Sequence, residues 1–130
     1  MLLTDVEGST ALWEEHPAAM REAMRRHREI GHEAIERHSG YLPPDQGEGD
    51  SLFAVFGDAR EAVTCTVEFQ RSLASEVWSE GVTIRVRAAI HVGSLDLADG
   101  RNYYGLSLNR CARLRAVAHG GQTVLSAATR

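Results

Sequence analysis

An α+β fold is predicted for this chain by three features met in order along it: a short buried strand followed by two helical blocks, a Gly-rich link between two further apolar runs, and a long alternating run at Val82–Val92. At 130 residues and 43% hydrophobic content the chain is read as one domain spanning 1–130, able to bury roughly two-thirds of the surface its unfolded form exposes.

The elements follow one by one. Met1-Leu2-Leu3-Thr4-Asp5-Val6 reads as a short buried strand, and Gly8-Ser9-Thr10 opens a helix through Ala11, Leu12 and Trp13, with Ser9 or Thr10 as an ordinary cap. After Pro17, Met20, Met24, His27, Ile30, Ala34, Ile35 and His38 recur at three and four, which predicts an amphipathic helix stopped by Gly40. Tyr41–Gln46 and Ser51–Phe56 flank Gly47-Glu48-Gly49-Asp50, a hairpin signal that puts Asp50 at the tip. A third helix from Asp58 carries Ala62, Val63, Thr66, Phe69 and Leu73 on one side. Val82, Ile84, Val86, Ala88, Ile90 and Val92 then form one apolar face of a strand. A turn around Asp99-Gly100 leads to a helix over 106–118, ended by Gly120-Gly121, and Gln122–Ser126 is a last strand. This order matches a ferredoxin-like βαββαβ core, an antiparallel sheet with helices on one face, elaborated by extra strands.

Charge narrows the chemistry. A net charge of −4 and a sequence pI near 5.8 give no basic field, so binding of nucleic acid or contact with an anionic membrane is not expected of this domain. The 14 basic residues are all arginine. A P-loop NTPase and a protein kinase each place a lysine on phosphate, so both are excluded, and phosphate must be met by arginine, backbone or metal. Cys65 and Cys111 fall inside predicted helices without a CxxC pair, and read as small buried apolar residues. No signal-peptide segment or membrane-length apolar run is present, which gives the expectation of a cytoplasmic domain.

Asp5 at the end of the first strand and Asp50 on the neighbouring hairpin can reach one edge of the sheet, a pair suited to Mg²⁺. Equally, Asp5 could cap the following turn and Asp50 fill a Gly-Asp hairpin. Gly8-Ser9-Thr10 adds a helix start, where backbone N–H groups favour phosphate. Asn109 and Arg113 stand four apart on one face of the helix after Asn102, where an arginine could meet developing phosphate charge; equally, the pair could belong to a solvated helix face with Arg110 and Arg115 beside it.

Taken together, these segments resemble the catalytic domain of class III adenylyl/guanylyl cyclases. Leu3-Thr4-Asp5-Val6-Glu7-Gly8-Ser9-Thr10 is similar to the first metal motif of that family and Gly49-Asp50-Ser51-Leu52-Phe53-Ala54 to the second. Asn109-Arg110-Cys111-Ala112-Arg113-Leu114 resembles the transition-state helix motif, preceded by Asn102-Tyr103-Tyr104-Gly105. Four motifs in order cover nearly the whole chain. The variants look like those of bacterial cyclase domains joined to an ATPase and a DNA-binding region. The family's domain also continues beyond the last strand, so the resemblance implies truncation at the C-terminal end.

The resemblance implies conversion of ATP, and possibly GTP, to the 3′,5′-cyclic monophosphate with two divalent metal ions, Mg²⁺ or Mn²⁺. Asp5, Asp50 and the Val6 carbonyl would hold the ions, Asn109 would orient the ribose, and Arg113 would meet charge on the α-phosphate. The purine-selecting positions depart from the family's common Lys and Asp: they are Gln46 and Asn102. Amides offer donor and acceptor and can flip, so weak discrimination between ATP and GTP is expected. The family's site lies between two domains, which implies a head-to-tail homodimer. A degenerate cyclase-like module that binds nucleotide or dimerises without turnover is the first alternative. A ferredoxin-like RNA-binding module is disfavoured by 6% aromatic content and negative charge.

Overall fold

The computed structural model describes residues 1–43, 49–79, 81–93, 96–98 and 102–126, with the side chains of 96–98 and 102–104 excepted. The chain runs β1 (Leu2–Val6), α1 (Ser9–Glu15), α2 (Pro17–Arg37), β2 (Leu52–Ala54), α3 (Ala59–Ser75), β3 (Val86–Ile90), β4 (Asp96–Ala98), β5 (Asn102–Tyr104), α4 (Leu106–Ala116) and β6 (Thr123–Leu125). The α+β class holds.

The main sheet has the order β2-β1-β3-β6, with β1 central and antiparallel to both neighbours. Register pairs Leu3 with Phe53 on one side and with Ala89 on the other, and Asp5 with Arg87. β6 runs parallel to β3, with Ala88 opposite Thr123, and β4 and β5 form a separate antiparallel pair. The predicted first hairpin arm is reduced, among the described residues, to one antiparallel bridge between Tyr41 and Val55; 44–48, including Gly47 and Glu48, lie outside them. The turn at Asp99-Gly100 lies outside them too.

Alternation along the strands decides what each face meets. Val6, Leu52, Ala54 and Val86 pack with Met20, Met24, Ile30 and Ile35 of α2 and Phe69 and Leu73 of α3. Leu2, Ala88 and Ile90 meet Ala62 of α3. Leu3, Phe53 and Ala89 point the other way and are covered by Cys111 and Leu108 of α4. Two helices thus sit on one face of the antiparallel core, and α4, which leads to the added strand β6, closes the opposite face. Burying these side chains contributes roughly 25 cal/mol per Å² of apolar surface removed from water.

Local differences from the sequence reading have physical causes. β3 starts at Val86, although Val82 and Ile84 are buried in the predicted alternation. Its neighbour β1 ends at Val6 opposite Val86; one more bond, from Glu7 N–H to the Arg85 carbonyl, precedes the turn into α1. At the far end Val92 is exposed and Val63 on α3 is only half-buried. The cap of α1 is Gly8, in the left-handed region at φ 65°, and no side chain caps the helix, so neither Ser9 nor Thr10 does. Asp58 does cap α3, accepting from the Arg60 N–H at 2.7 Å. α2 ends at Arg37 with Ser39 taking the left-handed turn at φ 57°. Gly40 is needed for a different reason: a Cβ there would stand 2.7 Å from both Ile35 Cγ2 and Phe56 Cε1.

Candidate functional site

Asp5 follows Leu3 by two residues on β1, so its side chain emerges on the face covered by α4, at the end of the strand. Asp50 lies just before β2, and its Oδ2 accepts the Val6 N–H at 3.1 Å. The two aspartates therefore flank one peptide: the carboxylate of Asp50 bonds the residue that follows Asp5. Ser51 fixes this approach by donating to the Thr4 carbonyl at 2.8 Å. Asp5 does not cap the following turn.

Two arginines meet Asp5. Arg87, its register partner on β3, donates from Nε to Oδ1 at 2.7 Å and from Nη2 to Oδ2 at 2.5 Å, a fork-to-fork pair. The carboxylate in turn holds the Arg87 guanidinium above its ordinary pKa. Arg115 reaches across from α4, its Nη1 donating to the Thr4 carbonyl at 3.2 Å and to Ser51 Oγ at 3.0 Å. Its Nε stands 3.4 Å from Asp5 Oδ2, buried and without a hydrogen-bond acceptor. Arg28 of α2 donates to the Gly49 carbonyl beside Asp50.

Sequence reasoning missed Arg87, Arg115 and Ser51 here. Arg115 entered the sequence reading only as part of the solvated-face alternative, and in the structure it is half-buried. The signal was present, because Leu108, Cys111, Ala112 and Arg115 recur at the spacing of one helix face, the one that covers the sheet. Asn109 and Arg113 are exposed on the rest of α4, and among the described residues the Arg113 guanidinium has no hydrogen-bond or ion-pair partner. Arg113 lines a shallow depression with His91, Arg110, Leu114, Val117 and Ser126. The chain thus does not bring Asn109 and Arg113 onto its own Asp5, which its other arginines occupy. Ser9 is half-buried and Gly8 and Thr10 are exposed, at the start of α1 one turn beyond Val6. Gln46 lies outside the described residues, and of Asn102 the backbone alone is described, opposite Ala98 in β5.

The donor chemistry of Asp5, Asp50 and the Val6 carbonyl is all oxygen, which fits a hard divalent cation. Among the described residues no group of three or more His, Cys, Asp or Glu side chains could hold a metal by itself. A two-carboxylate site of this kind suits Mg²⁺ or Mn²⁺ that keeps water or substrate oxygens on its remaining positions. No imidazole is among these groups. His27, fully buried in α2, has its pKa lowered to about 4, first by burial and then by Arg28. The cysteines are buried and free as read; burial pushes Cys65 up to about 12 and Cys111 up to about 11.

No family model matches the chain. It is 43% identical over 129 residues to a Mycobacterium tuberculosis protein described as uncharacterized, covering 99% of this chain and 42% of that protein. An adenylate cyclase of Schizosaccharomyces pombe is 30% identical over 151 residues, covering 98% of this chain and 9% of that protein. The chain thus spans less than half the length of these relatives. Among solved structures, an adenylate cyclase from Trypanosoma brucei, described in its monomeric state, superposes with a TM-score of 0.88 at 26% identity, covering 98% of this chain and 72% of that one. The catalytic core of a rhodopsin-guanylyl cyclase in complex with ATPαS shares the fold, with a TM-score of 0.85 at 16% identity over 98% of this chain and 76% of that one. Among the described residues no helix is long and apolar enough to cross a membrane.

Proposed function

We infer that this chain, a domain of the class III adenylyl/guanylyl cyclase type by sequence and fold, converts ATP or GTP to the 3′,5′-cyclic monophosphate and pyrophosphate in a head-to-tail homodimer. The observation that carries the reading is the division of α4. Its inner face sends Arg115 to this chain's own Asp5, while Asn109 and Arg113 stand exposed, so one chain supplies two half-sites and a partner is required to make a whole one.

In the reaction the ribose 3′-oxygen attacks the α-phosphorus, a new P–O bond forms, the bond to the β-phosphate oxygen breaks, and the 3′-hydroxyl proton is lost to solvent. Asp5, Asp50 and the Val6 carbonyl are the groups that would hold two divalent ions. When bound, such ions lower the pKa of the attacking hydroxyl and offset charge on the departing oxygen. The chain's own residues position and stabilise. Asn109 of the partner orients the ribose, and Arg113 of the partner faces the charge that grows on the α-phosphate. Backbone N–H groups at Gly8-Ser9-Thr10 meet the polyphosphate. Gln46 and Asn102 contact the purine edge as amides, so selectivity between ATP and GTP stays below about a thousandfold.

The test is cyclic nucleotide formation by concentrated protein with ATP and GTP separately, in Mn²⁺ and in Mg²⁺, for the wild type, Asp50→Ala and Arg113→Ala. Each variant is expected to be inactive alone. Mixing them restores one intact site in half of the dimers, about a quarter of wild-type activity. No product from wild-type protein shown to be dimeric would replace this reading by a regulatory module without turnover.

A further inference from the structure

Asp5 is already occupied by two cations of the chain, and they are held differently. Arg87 places two bonds on Asp5 itself, so its guanidinium is anchored by the group it neutralises. Arg115 is anchored elsewhere, by two neutral acceptors: the Thr4 carbonyl at 3.2 Å and Ser51 Oγ at 3.0 Å. Its Nε faces Asp5 Oδ2 at 3.4 Å with no hydrogen bond made, buried from water. A cation binding Asp5 would compete directly with the bonds that Arg87 makes. The bonds that hold Arg115 do not involve Asp5.

We propose that Arg115 is a resident counter-cation of the Asp5 carboxylate, which keeps the affinity of this end of β1 for a free divalent cation low and makes the site selective for a divalent cation accompanied by a polyphosphate. This inference rests on the reading of Asp5 and Asp50 as metal-holding groups. A fixed positive charge a few ångströms from the ligating oxygen repels a bare divalent ion, and its half-buried position weakens solvent screening of that repulsion. A polyphosphate brings negative charge of its own and cancels the effect. Arg115 is therefore a positioning residue that sets the order in which ligands bind, without contact with the reacting atoms.

Mn²⁺ binding to the intact chain, followed by calorimetry and by the paramagnetic resonance of free Mn²⁺, separates the outcomes. Without nucleotide, Arg115→Gln is expected to bind Mn²⁺ about five- to tenfold more tightly than wild type. Arg115→Lys, which keeps the charge, stays near wild type. With 3′-deoxy-ATP present, which carries the triphosphate and cannot cyclise, the advantage of Arg115→Gln falls to less than about twofold. Arg115→Met, which keeps the apolar stem, replaces Arg115→Gln should the latter fail to fold. Equal or weaker Mn²⁺ binding by the charge-removed variant, with binding still abolished in Asp5→Asn, overturns the counter-cation and leaves the metal reading standing. Mn²⁺ binding that Asp5→Asn does not alter overturns both.

Discussion

Replacing His27 by leucine tests how the core of this domain responds to acid. His27 is 0% exposed in the middle of α2, against the Phe69 ring at 5.7 Å, and neither ring nitrogen has a hydrogen-bond partner. Burial, with Arg28 nearby, lowers its pKa from 6.5 to about 4; Asp50 opposes the shift and His32 adds to it. The unfolded chain then binds the proton more tightly than the folded one. Stability attributable to a neutral His27 is fully present above pH 6.5 and is lost as pH falls towards 4. From these values the wild type loses about 1 kcal/mol by pH 6 and about 2 kcal/mol by pH 5, levelling off near 3 kcal/mol below pH 4. Leucine has a similar volume and nothing to protonate. Urea unfolding of both proteins at pH 7.5 and pH 5 measures the effect, and His27→Leu should gain about 2 kcal/mol on the wild type between the two. His91, whose pKa is also lowered by burial, is common to both and cancels in the comparison. Parallel pH profiles would refute the reasoning, because the acid sensitivity would then arise elsewhere.

Two further substitutions separate folding from chemistry. Phe69→Ala removes the largest apolar group between α2 and α3, 1% exposed, and should cost about 3–5 kcal/mol in urea unfolding. Arg113→Ala should leave the unfolding free energy within about 0.5 kcal/mol of wild type, since the side chain is exposed, yet lower turnover by about a hundredfold or more. A melting temperature that falls in step with activity would show that Arg113 is structural.

The elements with strong periodicity were legible from residues alone. The spacing of Met20, Met24, His27, Ile30, Ala34 and Ile35 predicted the buried stripe of α2, and Asp58 predicted the start of α3 because its carboxylate has an orphan N–H to accept. What stayed illegible were properties of pairs. The run at Val82–Val92 alternates to its end, but a strand lasts only as long as a neighbour lies alongside, and β1 turns away after Val6. The second face of β3, with Arg87 and Ala89, lies opposite the apolar face that the alternation predicted. Pairing with Asp5 and cover by α4 bury it, and neither can be seen without knowing that β1 lies beside β3. That Asp5 and Asp50 can reach one edge of the sheet was the expectation, and Asp50 bonds the Val6 N–H beside Asp5; that arginines would fill the space at Asp5 was not expected, because charge on a strand reads as solvent exposure until its register partner is known.

The central position of β1 has a consequence for how the domain is made. A strand that leaves the ribosome ahead of both of its neighbours must wait unpaired, its Leu2-Leu3 segment available to other chains, until β2 and then β3 have been synthesised. The pair between Asp5 and Arg87 closes over 82 residues and that between Thr4 and Arg115 over 111. Contacts of that span slow folding, and they make the last turn of α4 the latch of the nascent domain: until it docks, Arg87 is the cation that β3 has brought to Asp5, and the Thr4 carbonyl and Ser51 hydroxyl wait for Arg115.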